Sequence, residues 1–339
     1  MVYLTIQKLL KSKFMCHLMG LSLTKNKFTL VDKKIVITGG MGFIGSHLSK
    51  ILSKSNEVHL VDNLLTGNKE NHDPKAQLHE IDINNKNELE IIFKNTDYVF
   101  HLAALPSVPR SIENPGFSHQ NNVNGTLSVL ETARKMKIQK MLYSSSSSVY
   151  GDSDILPKVE TMIPNPLSPY AVQKLVGEHY VKVYSNLYGL KAFSIRYFNV
   201  FGSNQDPHSI YSAVIAKFIT NALQDKDLIV YGDGTNSRDF TYVEDVIQAN
   251  ISLIKQEIGF GEVYNFAKGN STSIIELANR IKELTNSNSK ILIDSPRAGD
   301  VKHSLANTEK FEKLTNFKSE YSLEDGLMKT ISWYKQMIA

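Results

Sequence analysis

The chain has 339 residues, of which 42% are hydrophobic and 21% charged, and this composition excludes disordered, collagen-like and coiled-coil proteins. Its 38 Lys and Arg and 34 Asp and Glu leave a formal net charge of +4, spread along the sequence, so we expect no nucleic-acid partner. The single cysteine, Cys16, excludes an intramolecular disulfide and a CxxC metal site. The length favours two lobes over one core.

The first 31 residues differ in pattern from the rest of the chain. Lysines interrupt their only apolar stretch and no small-residue cleavage site follows, which argues against a signal peptide. We interpret residues 1–31 as an accessory helical extension; translation from Met15 or Met19 is the alternative. No apolar run in the chain approaches the roughly 18 residues of a membrane helix, so no membrane partner is expected.

From Lys33 onward, short apolar runs alternate with helical patterns. Continuous apolar runs of strand length are typical of parallel strands that are covered on both faces. Apolar residues at helical spacing lie between them, at 43–54 and 126–137. Repeated strand and helix predict an α/β fold, a Rossmann-type doubly wound parallel sheet. The predicted strands are 35–38, 58–62, 98–103, 141–145 and 192–197.

A glycine-rich turn, TGGMGFIG at 38–45, joins the first predicted strand to the first helix. Gly39 permits a tight turn, Gly42 lets the backbone approach a pyrophosphate, and Gly45 allows close packing of helix on strand. The helix N-terminus offers free N–H groups to the anion. A glycine triplet alone is equally compatible with a purely structural turn.

Asp62 strengthens the cofactor interpretation. It lies twenty residues after Gly42, at the end of the second strand, where a carboxylate can accept hydrogen bonds from an adenosine ribose. It would repel a 2′-phosphate, and no arginine occurs between Asp62 and Lys69, so the sequence predicts NAD rather than NADP. Asp82, after the third strand, could hold the adenine amino group, or it is a solvated loop residue.

A helix predicted to begin after Ser168, with Pro169 at its first position, carries Tyr170 and Lys174. Residues four apart share a helix face. An ammonium near a phenol favours the phenolate, and a nicotinamide cation would favour it further. The pair is therefore predicted to act as a base near neutral pH.

The same YxxxK spacing recurs at Tyr264 and Lys268. The pattern of 262–266 predicts a strand, in which a four-residue offset separates side chains by roughly 13 Å, so we discount this copy. Ser146, at the carboxyl edge of the sheet, is the predicted third member, able to bond both the tyrosine oxygen and a substrate hydroxyl. Neither a GxSxG elbow nor an HExxH site occurs, and no metal is expected.

After Phe201, segments rich in Gly, Asn, Asp and Pro at 202–209 and 231–239 separate shorter elements and predict a smaller α/β substrate-binding lobe. The expected division is an NAD-binding Rossmann domain over 32–200 plus about 236–268, with the second lobe over 201–235 and 269–339.

Seven motifs carry a family resemblance: TGGMGFIG at 38–45, DNLLTG at 62–67, HLAA at 101–104, NNVNGT at 121–126, SSSSVYGD at 145–152, YAVQK at 170–174 and RYFNVFG at 196–202. In this order they are highly specific. Through them residues 33–335 resemble the extended short-chain dehydrogenase/reductase family, the NAD-dependent epimerases and dehydratases. Its members act on nucleotide sugars and keep NAD bound.

The resemblance implies roles for individual residues. Ser146 matches the catalytic serine, and Tyr170 with Lys174 the catalytic pair. The implied NAD contacts are Gly39, Gly42, Phe43, Ile44, Gly45, Asp62, Asn63, Thr66, Gly67, Asp82, Ile83, Leu102, Ala103, Ala104, Asn122, Ser144, Tyr170, Lys174, Tyr197 and Val200. Residues that match positions enclosing UDP are Asn199, Ala213, Val214, Tyr231, Arg238, Arg297 and Asp300. Further substrate contacts are Ser107, Val108, Ser145, Ser146, Ser147 and Ser304.

Two of these assignments also have a physical reason. Arg238 and Arg297 suit bidentate phosphate binding, although a surface salt bridge would explain either alone. Ser304 is small, so it would leave room for an N-acetyl group at C2 of the sugar, whereas a surface serine is the simpler alternative.

Departures from the family pattern narrow the reaction. Related dehydratases place Asp-Glu, and decarboxylases a Glu, where this chain has Ser147 and Ser148, which leaves 4-epimerase chemistry. The stretches 107–115, 156–160 and 297–306 resemble UDP-N-acetylglucosamine 4-epimerases of polysaccharide pathways. We therefore expect interconversion of UDP-GlcNAc and UDP-GalNAc, and the resemblance implies a cytoplasmic homodimer built on the Tyr170 helix and its neighbour.

Other substrates, and one other class of protein, remain as alternatives. The same fold could epimerise an acidic sugar, such as UDP-N-acetylglucosaminuronate, or the plain pair UDP-glucose and UDP-galactose. A catalytically silent NAD-binding protein is the alternative from a different class, because a Rossmann fold does not by itself prescribe chemistry.

Overall fold

The computed structural model describes residues 28–206, 214–295 and 301–338. Most of the predicted N-terminal extension, residues 1–27, lies outside the described residues. At its end, Leu30 is buried in the main core, and Phe28 packs edge-on against Phe317 with ring centroids 5.7 Å apart. From Phe28 onward the segment before the first strand is therefore part of the packed fold.

The main sheet has seven strands, is parallel throughout and has the strand order β11-β6-β5-β4-β1-β2-β3. The described strands are β1 (Lys34–Thr38), β2 (Glu57–Val61), β3 (Gln77–His79), β4 (Tyr98–His101), β5 (Lys140–Ser146), β6 (Ala192–Tyr197), β7 (Val200–Phe201), β8 (Leu228–Tyr231), β9 (Ser237–Asp239), β10 (Thr241–Tyr242), β11 (Val263–Phe266), β12 (Ser271–Ser273) and β13 (Ile291–Asp294). All five predicted strands are present, with ends within two residues of the prediction, and the Rossmann-type prediction is confirmed.

Helices cover both faces of this sheet. The α-helices of the described residues are α1 (Phe43–Leu52), α2 (Lys86–Phe93), α3 (Val108–Glu113), α4 (Pro115–His119), α5 (Gly125–Lys135), α6 (Pro169–Tyr188), α7 (Val214–Leu223), α8 (Val243–Ile254), α9 (Ile274–Thr285), α10 (Glu309–Thr315) and α11 (Leu323–Ile338). The two helices predicted from spacing are present and end two residues earlier than predicted.

The continuous apolar runs of the strands fill two cores. In β1, Ile35 and Ile37 belong to the cluster beneath α1 and α8, whereas Val36 points into the cluster beneath α5 and α6. Successive side chains of a strand point to opposite faces, so a strand buried on both sides must be apolar at every position. Each such side chain contributes about 1.5–3 kcal/mol of hydrophobic stabilisation.

The strand order reverses at β1, and this reversal positions the site. β1 pairs with β2 on one side, where Thr38 faces Val61, and with β4 on the other, where Thr38 faces His101. In open α/β sheets, ligands bind at the carboxyl ends of the strands beside such a reversal. The glycine-rich turn leaves β1 at this point.

Smaller strand pairs follow the large sheet. β7 pairs with β10 and β8 with β13, both parallel, while β9 and β12 are antiparallel. The lobe boundaries given above stay a prediction. Within residues 28–206, 214–295 and 301–338, every helix is too short or too polar to cross a lipid bilayer, and no group of three His, Cys, Asp or Glu side chains could hold a metal ion.

Candidate active site

The fold requires glycine at the three positions of the turn to different degrees. Gly39 has φ of +72°, and a Cβ added there would lie 2.6 Å from the Ala103 nitrogen. A Cβ on Gly45 would lie 2.1 Å from the Gly39 oxygen. On Gly42 it would meet only that oxygen, at 3.3 Å. The fold itself therefore requires Gly39 and Gly45, whereas Gly42 leaves space at the edge of the cleft.

The N-terminus of α1 opens into a cleft of about 1050 Å³. The residue before α1, Gly42, provides no side-chain cap, so the first N–H groups of the helix remain available to a ligand. A free helix N-terminus beside a glycine without a Cβ suits a pyrophosphate. These residues fit NAD as the cofactor.

Asp62 lies on the cleft wall, where it is 9% exposed. Its carboxylate accepts the N–H groups of Met41, at 3.0 Å, and Leu64, at 2.9 Å, so it joins the glycine-rich turn to the end of β2. Burial raises the pKa of this carboxyl, and the two backbone bonds lower it in part. Each oxygen keeps a second lone pair, which can accept a ribose hydroxyl.

Asp82 does not line the cleft among the described residues. It accepts the Asn84 N–H at 2.8 Å and the Asn63 amide at 2.9 Å. Burial raises the pKa of Asp82, but these hydrogen bonds outweigh it and hold the pKa below its usual value. The side chain thus organises the loop after β3; contact with the adenine stays a prediction.

Asn122, for which an NAD contact is predicted, is 2% exposed and does not line the described cleft. Its amide oxygen accepts the Leu105 N–H at 2.7 Å, and its nitrogen donates to Gln173 at 2.7 Å. Gln173 is part of α6 and also accepts the hydroxyl of Ser118 at 2.7 Å. Asn122 therefore connects the loop after β4 to the helix of Tyr170.

Ser146, Tyr170 and Lys174 meet at the carboxyl end of β5. Ser168 caps α6, as predicted, by accepting the Ala171 N–H at 3.2 Å. Lys174 Nζ donates to the Ser144 carbonyl at 2.7 Å and lies 5.9 Å from the centroid of the Tyr170 ring. Ser146 is close enough to the Tyr170 hydroxyl to lower its pKa. All three residues line the cleft.

The charge states of Tyr170 and Lys174 differ from those expected from the sequence. Burial raises the pKa of Tyr170 to about 12, although Ser146 lowers it in part. Burial also lowers the pKa of Lys174 to about 7, and Glu178 opposes this shift. Desolvation disfavours the charged form of both groups, so the ammonium alone does not give a base near neutral pH. A further positive charge beside the phenol is needed, and a nicotinamide ring would supply one.

The tyrosine and lysine side chains of the second YxxxK copy bond to different parts of the fold, as expected. Tyr264 lies on β11 and its hydroxyl donates to the Gly259 carbonyl at 3.2 Å. Lys268 donates instead to the Ser319 carbonyl at 3.0 Å. These two side chains do not form a catalytic pair.

Most predicted cofactor residues line the cleft: Gly39, Gly42, Phe43, Ile44, Gly45, Asp62, Asn63, Thr66, Gly67, Ile83, Leu102, Ala103, Ala104, Ser144, Tyr170, Lys174, Tyr197 and Val200. Of the predicted substrate residues, Ser107, Ser145, Ser146 and Asn199 line it too. Ser107 has φ of +105°, a strained conformation typical of ligand sites.

Other predicted substrate residues lie elsewhere in the described structure. Val108, Ser147, Val214, Tyr231, Arg238 and Ser304 do not line the described cleft, and Ala213, Arg297 and Asp300 lie outside the described residues. Arg238 donates to the carbonyls of Ser237, at 2.9 Å, and Lys302, at 3.2 Å. Ser304 is 8% exposed, so it is not a surface residue.

Several cleft residues were missed from the sequence. They include Met41, Leu105, Arg110, Asn121, Asn204, Gln205 and Asp206. Arg110 stands in the stretch 107–115, whose resemblance to 4-epimerases could have indicated it. Asn204 and Asp206 follow β7 in a loop whose only signal is its polar composition.

A Rossmann-type sheet whose strand reversal carries a glycine-rich turn and a Ser–Tyr–Lys group is the arrangement of a short-chain dehydrogenase/reductase. The profile described as the NAD dependent epimerase/dehydratase family matches residues 35–267. The chain belongs to this family, which confirms the resemblance, and its cofactor is NAD.

Individual relatives are similar over nearly the whole chain. A putative UDP-glucose 4-epimerase of Methanocaldococcus jannaschii is 40% identical over 304 residues, 89% of this chain and 98% of that protein. A solved UDP-N-acetylglucosamine 4-epimerase of Methanobrevibacter ruminantium, in complex with UDP-N-acetylmuramic acid, is 39% identical with a TM-score of 0.88, covering 91% and 100% of the two chains. A UDP-glucose 4-epimerase of Thermotoga maritima with UDP-glucose is 35% identical, with a TM-score of 0.87 and coverage of 90% and 100%.

The choice of cofactor gives a direct test. Protein denatured after purification is expected to release NAD, because Asp62 suits a ribose with a free 2′-hydroxyl and would repel a 2′-phosphate. Chromatography of the released nucleotide checks this. Recovery of NADP alone, or thermal stabilisation by NADP and not by NAD, would reject the role given to Asp62.

Proposed function

We propose that the chain is a UDP-N-acetylhexosamine 4-epimerase that interconverts UDP-GlcNAc and UDP-GalNAc through a 4-keto sugar. One observation carries the 4-epimerase chemistry: Ser146, Tyr170 and Lys174 converge on the cleft, and Ser147 and Ser148, which follow Ser146, bring no carboxylate. Abstraction of a proton at C5, which related dehydratases and decarboxylases need, has no base at those positions.

The roles follow from the geometry. NAD supplies, when bound, the acceptor and later the donor of a hydride at C4 of the sugar. Tyr170 takes the proton of the 4-hydroxyl and returns it after the 4-keto sugar has turned over, so no net oxidation occurs. The Ser146 oxygen accepts the Ser148 N–H at 3.2 Å, which leaves its own proton to bond Tyr170 or the reacting oxygen. Lys174 stabilises the phenolate.

The proposal is tested by incubating the purified protein with UDP-GlcNAc, with UDP-glucose and with the corresponding uronates. NMR of the anomeric protons is expected to show UDP-GalNAc forming from UDP-GlcNAc. Conversion of UDP-glucose alone, or of a uronate alone, would replace the N-acetyl assignment. No conversion by protein that holds NAD would favour the silent NAD-binding protein.

A second candidate is 4-epimerisation of an acidic UDP-sugar. Arg110 lines the cleft from α3, and a guanidinium is the side chain that binds carboxylates bidentately. The solved relative in complex with UDP-N-acetylmuramic acid also holds a sugar with a carboxylate. The uronate arms of the experiment decide between the two candidates.

The width of the sugar site gives a further prediction. Ser304→Tyr is expected to lower activity on UDP-GlcNAc and UDP-GalNAc at least tenfold relative to UDP-glucose and UDP-galactose. Ser304 is buried and does not line the described cleft, and its position beside C2 of the sugar is what the family resemblance implies. Overpacking at such a position costs about 1–3 kcal/mol, where about 1.4 kcal/mol is a factor of ten. Epimerisation requires the sugar to fit in both orientations, so a side chain that blocks either orientation lowers activity. Relative kcat/KM values for the four sugars measure the effect.

Ser304→Ala is the matched control, since it keeps a small side chain and should keep the wild-type preference. If Ser304→Tyr also keeps the wild-type ratio of acetylated to plain substrates, Ser304 does not face C2, and the N-acetyl assignment loses its main physical support.

We also infer a cytoplasmic homodimer built on α6. This helix exposes Val172, Val183, Leu187 and Tyr188, which are between 43% and 72% exposed, and an apolar helix face of this kind is typical of a subunit interface. Light scattering after gel filtration is expected to give twice the chain mass. A monomer at micromolar concentration would contradict the inference.

A further inference from the structure

A buried ion pair lies next to the catalytic group, and the proposed reaction does not use it directly. Glu178 on α6 and Arg196 on β6 are 4% and 3% exposed. Their contact is bidentate, with Arg196 Nε 2.8 Å from one Glu178 oxygen and Nη2 2.6 Å from the other. The guanidinium also lies over the Tyr150 ring, 4.5 Å from its centroid.

The pair connects the two elements that carry the catalytic side chains. Ser145 on β5 pairs in register with Arg196, and its hydroxyl donates to Glu178. Ser145 directly precedes Ser146, while Glu178 lies one helical turn beyond Lys174 on α6. Glu178 therefore joins the strand end of Ser146 to the helix of Tyr170 and Lys174.

Glu178 also determines the charge around Lys174. Lys174 Nζ lies 5.1 Å from the centroid of the Tyr143 ring on β5 and 5.9 Å from that of the Tyr170 ring on α6. It also interacts electrostatically with His101 of β4 and with Glu178 of α6. Burial and the charge of Lys174 lower the pKa of His101 to about 3, and burial raises the pKa of Tyr143 well above its usual value, so both are neutral near pH 7. Glu178 is thus the nearby negative charge that favours the ammonium of Lys174.

Stability alone is a weak reason for such a pair. Removing two charges from water costs several kcal/mol per ion. A protein in which apolar residues of similar size replace a buried ion pair is often equally stable. The position of this pair, in contact with both catalytic elements, suggests a different reason for it.

We propose that Glu178, held in place by Arg196, is a positioning residue for the reaction: it supplies the negative charge that faces Lys174, and it fixes the strand end that carries Ser146. The inference rests on the proposed function, because it assigns Glu178 a part in the proton transfer of Tyr170. It does not require a particular UDP-sugar.

The first variant is Glu178→Gln, which keeps the shape of the side chain and removes its charge. Without that charge Lys174 loses its proton at lower pH, and Tyr170 then loses the ammonium that stabilises its phenolate. We expect the acid limb of the kcat profile to move to higher pH by about one unit, and kcat near neutral pH to fall about tenfold. KM for the UDP-sugar should stay within about threefold of wild type, since Glu178 does not line the cleft.

Glu178→Gln leaves Arg196 charged and buried, so it can fail to fold. The double variant Glu178→Met/Arg196→Met removes both charges and keeps the volume, and it is expected to fold. It should show the same loss of kcat and the same displaced acid limb.

Lys140→Met is the control, because Lys140 is also a buried charge and forms an ion pair, 2.6 Å from the exposed Glu257, at the opposite end of β5. It should leave kcat and the acid limb unchanged. An equal change in this control would show a general effect of losing buried charge and would overturn the proposal.

A second readout needs no substrate. The tyrosinate absorbance of the NAD-loaded chain, minus that of the same chain with Tyr170→Phe, follows the ionisation of Tyr170. In the double variant it should titrate about one unit higher than in wild type. A folded double variant with the wild-type titration would overturn the inference. If the wild type converts no UDP-sugar, the proposed function fails, and this titration still decides the role of Glu178.

Discussion

Tyr170→Phe is expected to reduce turnover at least 100-fold while NAD and UDP binding survive. The change removes one oxygen, and the loss of a positioned acid–base group typically costs between about 100-fold and 10,000-fold. The phenyl ring that remains keeps the packing of α6, and Ser168 still caps the helix. Single-turnover kinetics and binding titrations of the variant measure the two quantities separately. Ser146→Ala should be milder, because Ser146 only orients the reacting oxygen.

Tyr264→Phe serves as the control for this prediction. It removes the same atom from the other YxxxK copy, whose hydroxyl bonds only the Gly259 carbonyl in the described structure. Its turnover should remain close to wild type. Equal loss in the two variants, or retained activity in Tyr170→Phe, would remove the catalytic assignment.

Gly45→Ala is expected to abolish NAD retention and to destabilise the fold. The added Cβ would lie 2.1 Å from the Gly39 oxygen and 2.9 Å from the Gly40 Cα, and these backbone atoms cannot move aside by rotation of a side chain. Helix α1 must shift away from β1, and overpacking of this kind costs about 1–3 kcal/mol or more. Chemical denaturation and the NAD content of the purified variant measure both effects.

Gly42→Ala tests a glycine that NAD binding is expected to require but the fold is not. Its Cβ would meet only the Gly39 oxygen at 3.3 Å, and φ of −76° suits alanine, so stability should stay near wild type. NAD affinity should fall at least tenfold, or about 1.4 kcal/mol, because the methyl group occupies the approach of the pyrophosphate. Equal stability loss in the two variants would contradict the distinction between these glycines.

Local patterns in the sequence determined much of the site. Strands buried on both faces must be continuous apolar runs, so all five predicted strands were found. The glycine spacing predicted the turn, and the four-residue spacing of Tyr170 and Lys174 placed both on one face of α6. A strand assignment for 262–266 was enough to discount Tyr264. These features depend on periodicities of two and 3.6 residues, which are properties of short segments.

Other features were decided only by the tertiary structure, because they depend on residues distant in sequence. Asn122 turned out to join Leu105 to Gln173, and Glu178 to join Ser145 to Arg196, and no spacing rule relates such partners. The charge states of Tyr170 and Lys174 differed from the sequence-based expectation for a related reason. Spacing brings Tyr170 and Lys174 together, but only the packing of β5, β6 and α6 determines how much water reaches them. That desolvation raises the pKa of the phenol and lowers the pKa of the ammonium.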